Sequence, residues 1–182
     1  ADNHNDLKIP GFFRFLTLLG FHLFQSNKVD VIILEVGIGG RYDSTNVITQ
    51  PCATGITVLD LDHVSILGDT LEKIAYEKCG IFKPSSPAYA IKPISKSVQS
   101  VFDNCALEVN TKLNWTRSLQ EWTRDGAIPT LGLEGDFQQL NASLAVSLCN
   151  AAVSKIKHNV LVVDDDGYLS DIALEGLTKA KW

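Results

Sequence analysis

The sequence has no methionine, and its four cysteines are widely spaced and form no CxxC pair. Without such a pair, neither a zinc knuckle nor a redox dithiol has local support, so we interpret the cysteines as reduced interior thiols. No apolar run reaches the roughly 18 residues that a membrane span needs. The first ten residues have neither an apolar signal core nor a basic leader. Because the chain starts at Ala1 and lacks methionine, we expect it to be part of a longer protein.

Positive charge is also scarce. The chain has 16 Lys and Arg against 21 Asp and Glu, a net charge of -5, and no stretch forms a basic stripe of the kind that neutralises nucleic-acid phosphates. We therefore expect no nucleic-acid partner. The length of 182 residues and the apolar content of 45% predict one globular unit with a hydrophobic core. We expect a monomer without a membrane span, located in the cytoplasm, with the mitochondrion as the alternative.

Apolar periodicity divides the chain into alternating helices and short strands. Helical spacing predicts helices over 12–27, 70–79, 94–107, 137–156 and 170–177, the first of them amphipathic to largely buried. Continuous apolar runs predict buried strands over 29–34, 53–59 and 87–91, whereas 111–131 shows no clear pattern. This alternation predicts an α/β fold with a mostly parallel sheet flanked by helices. Such sheets bind ligands beyond the carboxyl ends of their strands.

Glu35 directly follows the first predicted strand. A carboxylate held at a strand end can reach a magnesium ion that bridges nucleotide phosphates, and the glycines that follow leave room for a ligand. A dinucleotide-binding GxGxxG motif is excluded, because its third glycine would fall at Tyr42 and no helix follows. An ordinary surface carboxylate is an equally good interpretation of Glu35 from the strand alone.

Two basic side chains follow in the next block. His63 lies just past the second predicted strand, where it can contact a metal or phosphate, with Asp60 and Asp62 available to orient its ring. The alternative is a structural histidine with two loop-capping aspartates. Lys78 lies on a charged helix face and is expected to be solvated. It would take a functional role only as a carbamate, which requires a neutral amine with a depressed pKa.

Gln138 and Asn141 begin the long helix near the carboxyl end of the chain. An amide side chain offers both a hydrogen-bond donor and an acceptor, the two groups needed to bind the edge of an adenine ring. The alternative interpretation is that these polar residues cap the free backbone amides of the helix start.

Three blocks in order carry a resemblance to a known family: VDVIILEVGIGGRYDSTNVI, ITVLDLDHVSILGDTLEKIAYEKCGIFKP and GLEGDFQQLNASLA. They resemble the folylpolyglutamate synthases of the Mur ligase superfamily, over most of residues 9–94 and 131–182. The resemblance implies that residues 1–182 are part of a Mur ligase-like, P-loop central ATP-binding domain. The glycine-rich P-loop of the GTNGKGS kind and the second domain that presents glutamate do not occur in this sequence.

The resemblance also implies roles for single residues. Glu35 and His63 would bind magnesium ions at the ATP phosphates, Lys78 would be the catalytic carbamylated lysine, and Gln138 and Asn141 would contact the adenine. Phe137 departs from the family, because many members have histidine at that position. A monovalent cation such as K⁺ is a further candidate cofactor.

The activity that the resemblance implies is ATP-dependent ligation. The carboxylate of tetrahydrofolate, or of its glutamate tail, would be activated as an acyl phosphate, and the amino group of L-glutamate would then attack it. Folate and L-glutamate are thus the expected small-molecule partners, and the 182 residues alone are expected to be inactive. The alternatives are a dihydrofolate synthase and a truncated, non-catalytic isoform that acts as a binding partner.

Overall fold

The computed structural model describes residues 10–156 and 160–181. The helices are α1 (Phe12–Asn27), α2 (Val64–Leu67), α3 (Leu71–Cys79), α4 (Lys96–Glu108), α5 (Gln138–Val153) and α6 (Asp171–Lys179), the strands are β1 (Thr54–Ile56), β2 (Ala88–Ala90) and β3 (Leu113–Trp115), and 3₁₀ turns cover Ser44–Val47 and Leu119–Trp122. All five predicted helices are confirmed to within a few residues. Thr70 is the N-cap of α3, as its side chain accepts a hydrogen bond from the Lys73 amide at 3.3 Å.

The three strands form one parallel sheet in the order β1-β2-β3. Ile56, Ala88 and Ala90 point to one face of this sheet, where they share a core with buried residues of α3 and α4. Gly55 points to the opposite face, where a Cβ atom would lie 2.7 Å from Leu148 of α5. Helices therefore cover both faces, and the predicted α/β fold with a parallel sheet is confirmed. The two predicted strands at 53–59 and 87–91 are present but shorter.

The predicted strand over 29–34 is wrong. These residues have no strand pairing, and their side chains are exposed, Ile33 by 89%. A strand requires a neighbour for its backbone hydrogen bonds, and within the described residues β1 pairs only with β2. The prediction of an amphipathic to largely buried first helix is also wrong in its burial, because α1 has no buried residue and Phe12 is 78% exposed.

The hydrophobic interior has two parts. The first lies between the sheet and helices α3 and α4, where the Phe102 ring contacts the rings of Phe82 and Trp115 at centroid distances of 6.3 and 5.4 Å. The second surrounds Trp122, whose Nε1 donates a hydrogen bond to Ser143 Oγ at 3.1 Å. Ser143 Oγ in turn donates to the Arg117 carbonyl at 2.6 Å, so the first half of α5 is fixed where the chain leaves β3.

The prediction of interior thiols holds for two of the four cysteines. Cys79 and Cys105 are buried in the first core, and burial raises the pKa of both thiols. Cys52 and Cys149 are exposed, and all four are free. Within residues 10–156 and 160–181, no helix is both long enough and apolar enough to cross a membrane.

Replacement of Phe102 by alanine tests the first core. Phe102 is fully buried, and we expect Phe102→Ala to lower the free energy of unfolding by about 3–5 kcal/mol because it leaves a cavity. The matched control is Leu107→Ala on the same helix, where the side chain is 80% exposed and the change should stay within about 0.5 kcal/mol. Urea unfolding followed by circular dichroism measures both values. Equal effects of the two substitutions would contradict this assignment of the core.

Candidate functional site

A tightly folded segment, which we call the glycine loop (residues 37–46), follows Glu35. Its centre is the Asp43 carboxylate, which accepts hydrogen bonds from the Gly37 and Ile38 amides at 3.1 and 3.2 Å. It also accepts from the amide and the hydroxyl of Thr45 at 2.9 and 2.7 Å. Burial alone would raise the pKa of Asp43, but these hydrogen bonds outweigh it and hold the pKa below the ordinary value of 3.8.

Glycines allow this loop to touch the end of α3. The Arg41 amide donates to the Glu77 carbonyl at 2.9 Å. A Cβ atom on Gly40 would lie 2.8 Å from the Lys78 carbonyl, and one on Gly80 would lie 2.3 Å from Arg41 Cβ. Larger residues would push the two backbones apart. The glycines thus bring the segment that follows Glu35 against the turn that carries Lys78.

The helix that starts after His63 reaches the same place. A Cβ atom on Gly39 would lie 2.7 Å from Leu67 of α2 and 3.7 Å from Glu77 of α3. Gly39 has φ +68°, a conformation that favours glycine. The structure therefore brings together the loop after Glu35, the helix after His63 and the helix end with Lys78.

The two predicted metal ligands have different local settings. Glu35 is exposed and belongs to the unpaired segment 29–36, so the argument that it lies at a strand end is wrong. His63 caps α2 in a left-handed conformation with φ 48°, and its side chain is 47% exposed. Its Nε2 lies 3.6 Å from the carboxylate of Asp62, whereas Asp60 accepts a hydrogen bond from the Leu61 amide. Metal binding by Glu35 and His63 stays a prediction.

The described residues contain no group of three or more His, Cys, Asp or Glu side chains arranged to hold a metal ion. Any magnesium ion bound here would need further oxygen ligands from phosphates and water, which is how proteins commonly bind this ion at nucleotides. Lys78 is half-buried in the last turn of α3. Another lysine, Lys83, donates from Nζ to the Asn46 carbonyl at 3.4 Å, and burial lowers its pKa.

Gln138 and Asn141 lie together in a cleft of about 160 Å³ between α5 and α6. Asn141 Nδ2 donates to Gln138 Oε1 at 3.1 Å, and Gln138 is only 5% exposed. No side-chain hydrogen bond caps the start of α5, so the capping interpretation of this pair is wrong. The bond between them leaves the Gln138 amide as a donor and the Asn141 carbonyl oxygen as an acceptor. The remaining walls are apolar: Leu131, Leu133, Ala142, Ala145, Leu177 and Ala180.

Comparison with known proteins places this geometry in context. Over 147 residues, 81% of this chain and 25% of its relative, the chain is 45% identical to folylpolyglutamate synthase, mitochondrial, of Bos taurus. Over 178 residues, 98% of this chain and 34% of its relative, it is 43% identical to the probable folylpolyglutamate synthase of Schizosaccharomyces pombe. The chain is related to the folylpolyglutamate synthases. It spans about a quarter to a third of the length of these curated relatives.

Solved structures of the same family have the same fold. The Mycobacterium tuberculosis folylpolyglutamate synthase complexed with ADP and AMPPCP has a TM-score of 0.70 at 25% identity, over 93% of this chain and 40% of that one. An FPGS-AMPPCP-folate complex has a TM-score of 0.73 at 27% identity, over 92% of this chain and 43% of that one. No protein-family model matches the chain.

Asp43 should make the order of the glycine loop depend on pH. Because the folded-state pKa is lowered, the loop should be ordered above pH 3.8 and should lose order as the pH falls through that lowered pKa. The amide chemical shifts of Gly37 and Ile38 report this transition by NMR. Asp43→Ala should change the amide chemical shifts of Gly37 and Ile38 already at neutral pH, whereas Asp103→Ala on α4 should leave them unchanged. A transition midpoint above 3.8 would refute the assignment.

Proposed function

We propose that this chain forms the adenine-binding and metal-binding part of an ATP-dependent ligase that joins L-glutamate to folate or to its glutamate tail. The observation that carries the proposal is the cleft in which Gln138 and Asn141 lie together. The relatives with ADP, AMPPCP and folate support this choice of ligands.

The cleft suits a purine base. Apolar walls favour a flat ring with little charge, and the edge of adenine has an amino donor beside a ring-nitrogen acceptor. The free acceptor of Asn141 complements the amino group, and the free donor of Gln138 complements the ring nitrogen. Each hydrogen bond of this kind contributes about 0.5–1.5 kcal/mol, so the pair mainly sets the orientation of the base.

Glu35 and His63 are proposed to hold magnesium at the phosphates. Magnesium prefers oxygen ligands and is commonly bound by one or two carboxylates together with phosphates and water, a demand that Glu35 meets. The imidazole of His63 is a less usual ligand for this ion, and its Nε2 lies 3.6 Å from the carboxylate of Asp62. When bound, magnesium supplies the charge neutralisation that phosphoryl transfer needs.

Lys78 is proposed as the catalytic group of this region. If its neutral amine took up carbon dioxide and lost a proton to form a carbamate, it would supply oxygen ligands for magnesium beside the loop that follows Glu35. The acceptor carboxylate is proposed to take the γ-phosphoryl group of ATP, which releases ADP and gives an acyl phosphate. The amino group of L-glutamate then attacks the acyl carbon, which forms the amide and releases inorganic phosphate and a proton. The residues of this chain would hold the nucleotide so that the transferred phosphoryl group meets that carboxylate.

A polypeptide of the relatives' length that contains this chain tests the activity. It should consume ATP only when both glutamate and a folate are present, with product mass increasing by one glutamate per cycle. Glu35→Gln, His63→Ala and Lys78→Ala should each lower turnover about a hundredfold or more, because each removes charge stabilisation of the transferred group. Lys73→Ala on the exposed face of α3 is the control. Turnover with dihydropteroate but not with tetrahydrofolate would indicate a dihydrofolate synthase instead, and no turnover with either would refute the proposal.

Base recognition can be tested on the 182 residues themselves. Gln138→Glu keeps the size of the side chain and the bond from Asn141 but removes the donor, so ADP affinity should fall about tenfold. Gln139→Glu, at the next helix position, makes the same charge change outside the cleft and should have little effect. NMR titration with ADP measures both affinities. A Gln139 variant as weak as the Gln138 variant would show that charge, not base contact, is responsible.

A further inference from the structure

We propose that Asn46 is a positioning residue that fixes the glycine loop to the end of α3. Its Nδ2 donates one hydrogen bond to the Arg41 carbonyl at 3.0 Å and a second to the Gly80 carbonyl, also at 3.0 Å. The second bond spans 34 residues of sequence. A single amide nitrogen thus connects the loop that follows Glu35 with the segment that follows Lys78, and its functional importance rests on the function proposed above.

The backbone of Asn46 is itself hydrogen-bonded at both its amide and its carbonyl, which places the side chain beside Arg41 and Gly80. It lies in the 3₁₀ turn Ser44–Val47, and its own amide donates to the Asp43 carbonyl at 3.0 Å. Its carbonyl accepts a hydrogen bond from Lys83 Nζ at 3.4 Å. Asp43 also binds the amides at the start of the loop. Asn46 therefore connects the residue that orders the loop with Arg41 and Gly80.

Arg41, one of the two residues that Asn46 binds, is also bound to α3. The Arg41 amide donates to the Glu77 carbonyl, and Nη2 donates to the Tyr76 carbonyl at 3.1 Å. The guanidinium lies 3.9 Å from the centre of the Tyr76 ring, a cation–π contact. The carbonyl of Arg41 is the remaining main-chain group, and Asn46 binds it. Arg41 is therefore hydrogen-bonded to α3 through its amide and guanidinium and to Asn46 through its carbonyl.

This arrangement matters for chemistry because two proposed groups flank it. Glu35 lies two residues before Gly37, whose amide Asp43 holds, and Lys78 lies two residues before Gly80. Groups that act on the same phosphates must be kept in a fixed relation by their supporting residues, since small displacements cost large factors in rate. Asn46 binds the loop that follows Glu35 and the turn that follows Lys78. It would therefore fix the position of Glu35 relative to Lys78 without touching the substrate.

Asn46→Asp tests the connection in the 182-residue chain. Aspartate has the same size, but it donates no hydrogen bond and places a carboxylate against two carbonyl oxygens. We expect hydrogen exchange of the Arg41 amide to become about tenfold faster or more, corresponding to loss of about 1.4 kcal/mol of local protection. The Ile74 amide, which donates to Thr70 within α3, should stay within about twofold. Asn104→Asp, an exposed asparagine of α4, makes the same charge change and should match the unmodified chain.

A second measurement distinguishes positioning from general stabilisation. With ADP bound, Mn²⁺ in place of Mg²⁺ should broaden the amide signals of Val36 and Gly37 by its paramagnetism. In Asn46→Asp this broadening should be lost, whereas the ADP-induced shifts of the Gln138 and Asn141 side-chain amides should persist. Broadening that is unchanged in a variant with faster Arg41 exchange would show a purely structural role and overturn the proposal.

The remaining outcomes distinguish failure of the Asn46 connection from failure of the proposed function. Unchanged Arg41 exchange in Asn46→Asp would refute the connection. If that variant does not fold, Asn46→Ser, which keeps one donor, should give an intermediate acceleration, and the absence of any acceleration would likewise refute it. If the unmodified chain shows no ADP-induced shifts at Gln138 and Asn141, the proposed function fails, while the Arg41 exchange rates still test the connection.

Discussion

The site depends on one close approach between two backbones, the glycine loop and the end of α3. Positions 40 and 80 have to be glycine, because a Cβ atom would lie 2.8 Å from the Lys78 carbonyl in the first case and 2.3 Å from Arg41 Cβ in the second. The hydrogen bonds between the loop and the end of α3 follow from this approach. The Arg41 amide reaches Glu77 and the Asn46 amide reaches Gly80 only because no side chain stands between the backbones.

Periodicity identified the helices because their apolar residues recur at helical spacing, and in α3 and α4 these residues pack around Phe102. It did not identify β3. Leu113–Trp115 has only three residues, all half-buried, with a polar Asn114 at its centre. Its strand conformation comes from pairing with β2 and from the contact between Trp115 and Phe102, neither of which is visible locally. The run over 29–34 shows the converse, because apolar composition indicates a tendency towards burial but not a pairing partner.

Site residues were predictable to the extent that their neighbours in sequence are also their neighbours in space. Gln138 and Asn141 are one helical turn apart, so their shared cleft follows directly from the helix. Asp43 and Asn46 were missed because small polar residues after glycines indicate only a turn. Their importance lies in bonds to groups far along the chain, such as Gly80, and no local spacing encodes such a bond. The available signal was the cluster of turn formers, Asp43 to Asn46, which begins three residues after the last of three glycines.

The cleft at Gln138 and Asn141 and the glycine loop are separate parts of the molecule, so a nucleotide that used both would need a rigid link between them. Helix α5 provides it. Its first residue lines the cleft, Ser143 in its second turn binds the Arg117 carbonyl at the exit of β3, and Leu148 packs on Gly55 in β1. From β1 the chain continues to His63 and to α2, whose Leu67 touches Gly39. Under the proposed function, the position of the base relative to the phosphates would be set by how α5 packs on the sheet, where Leu148 lies against the small Gly55.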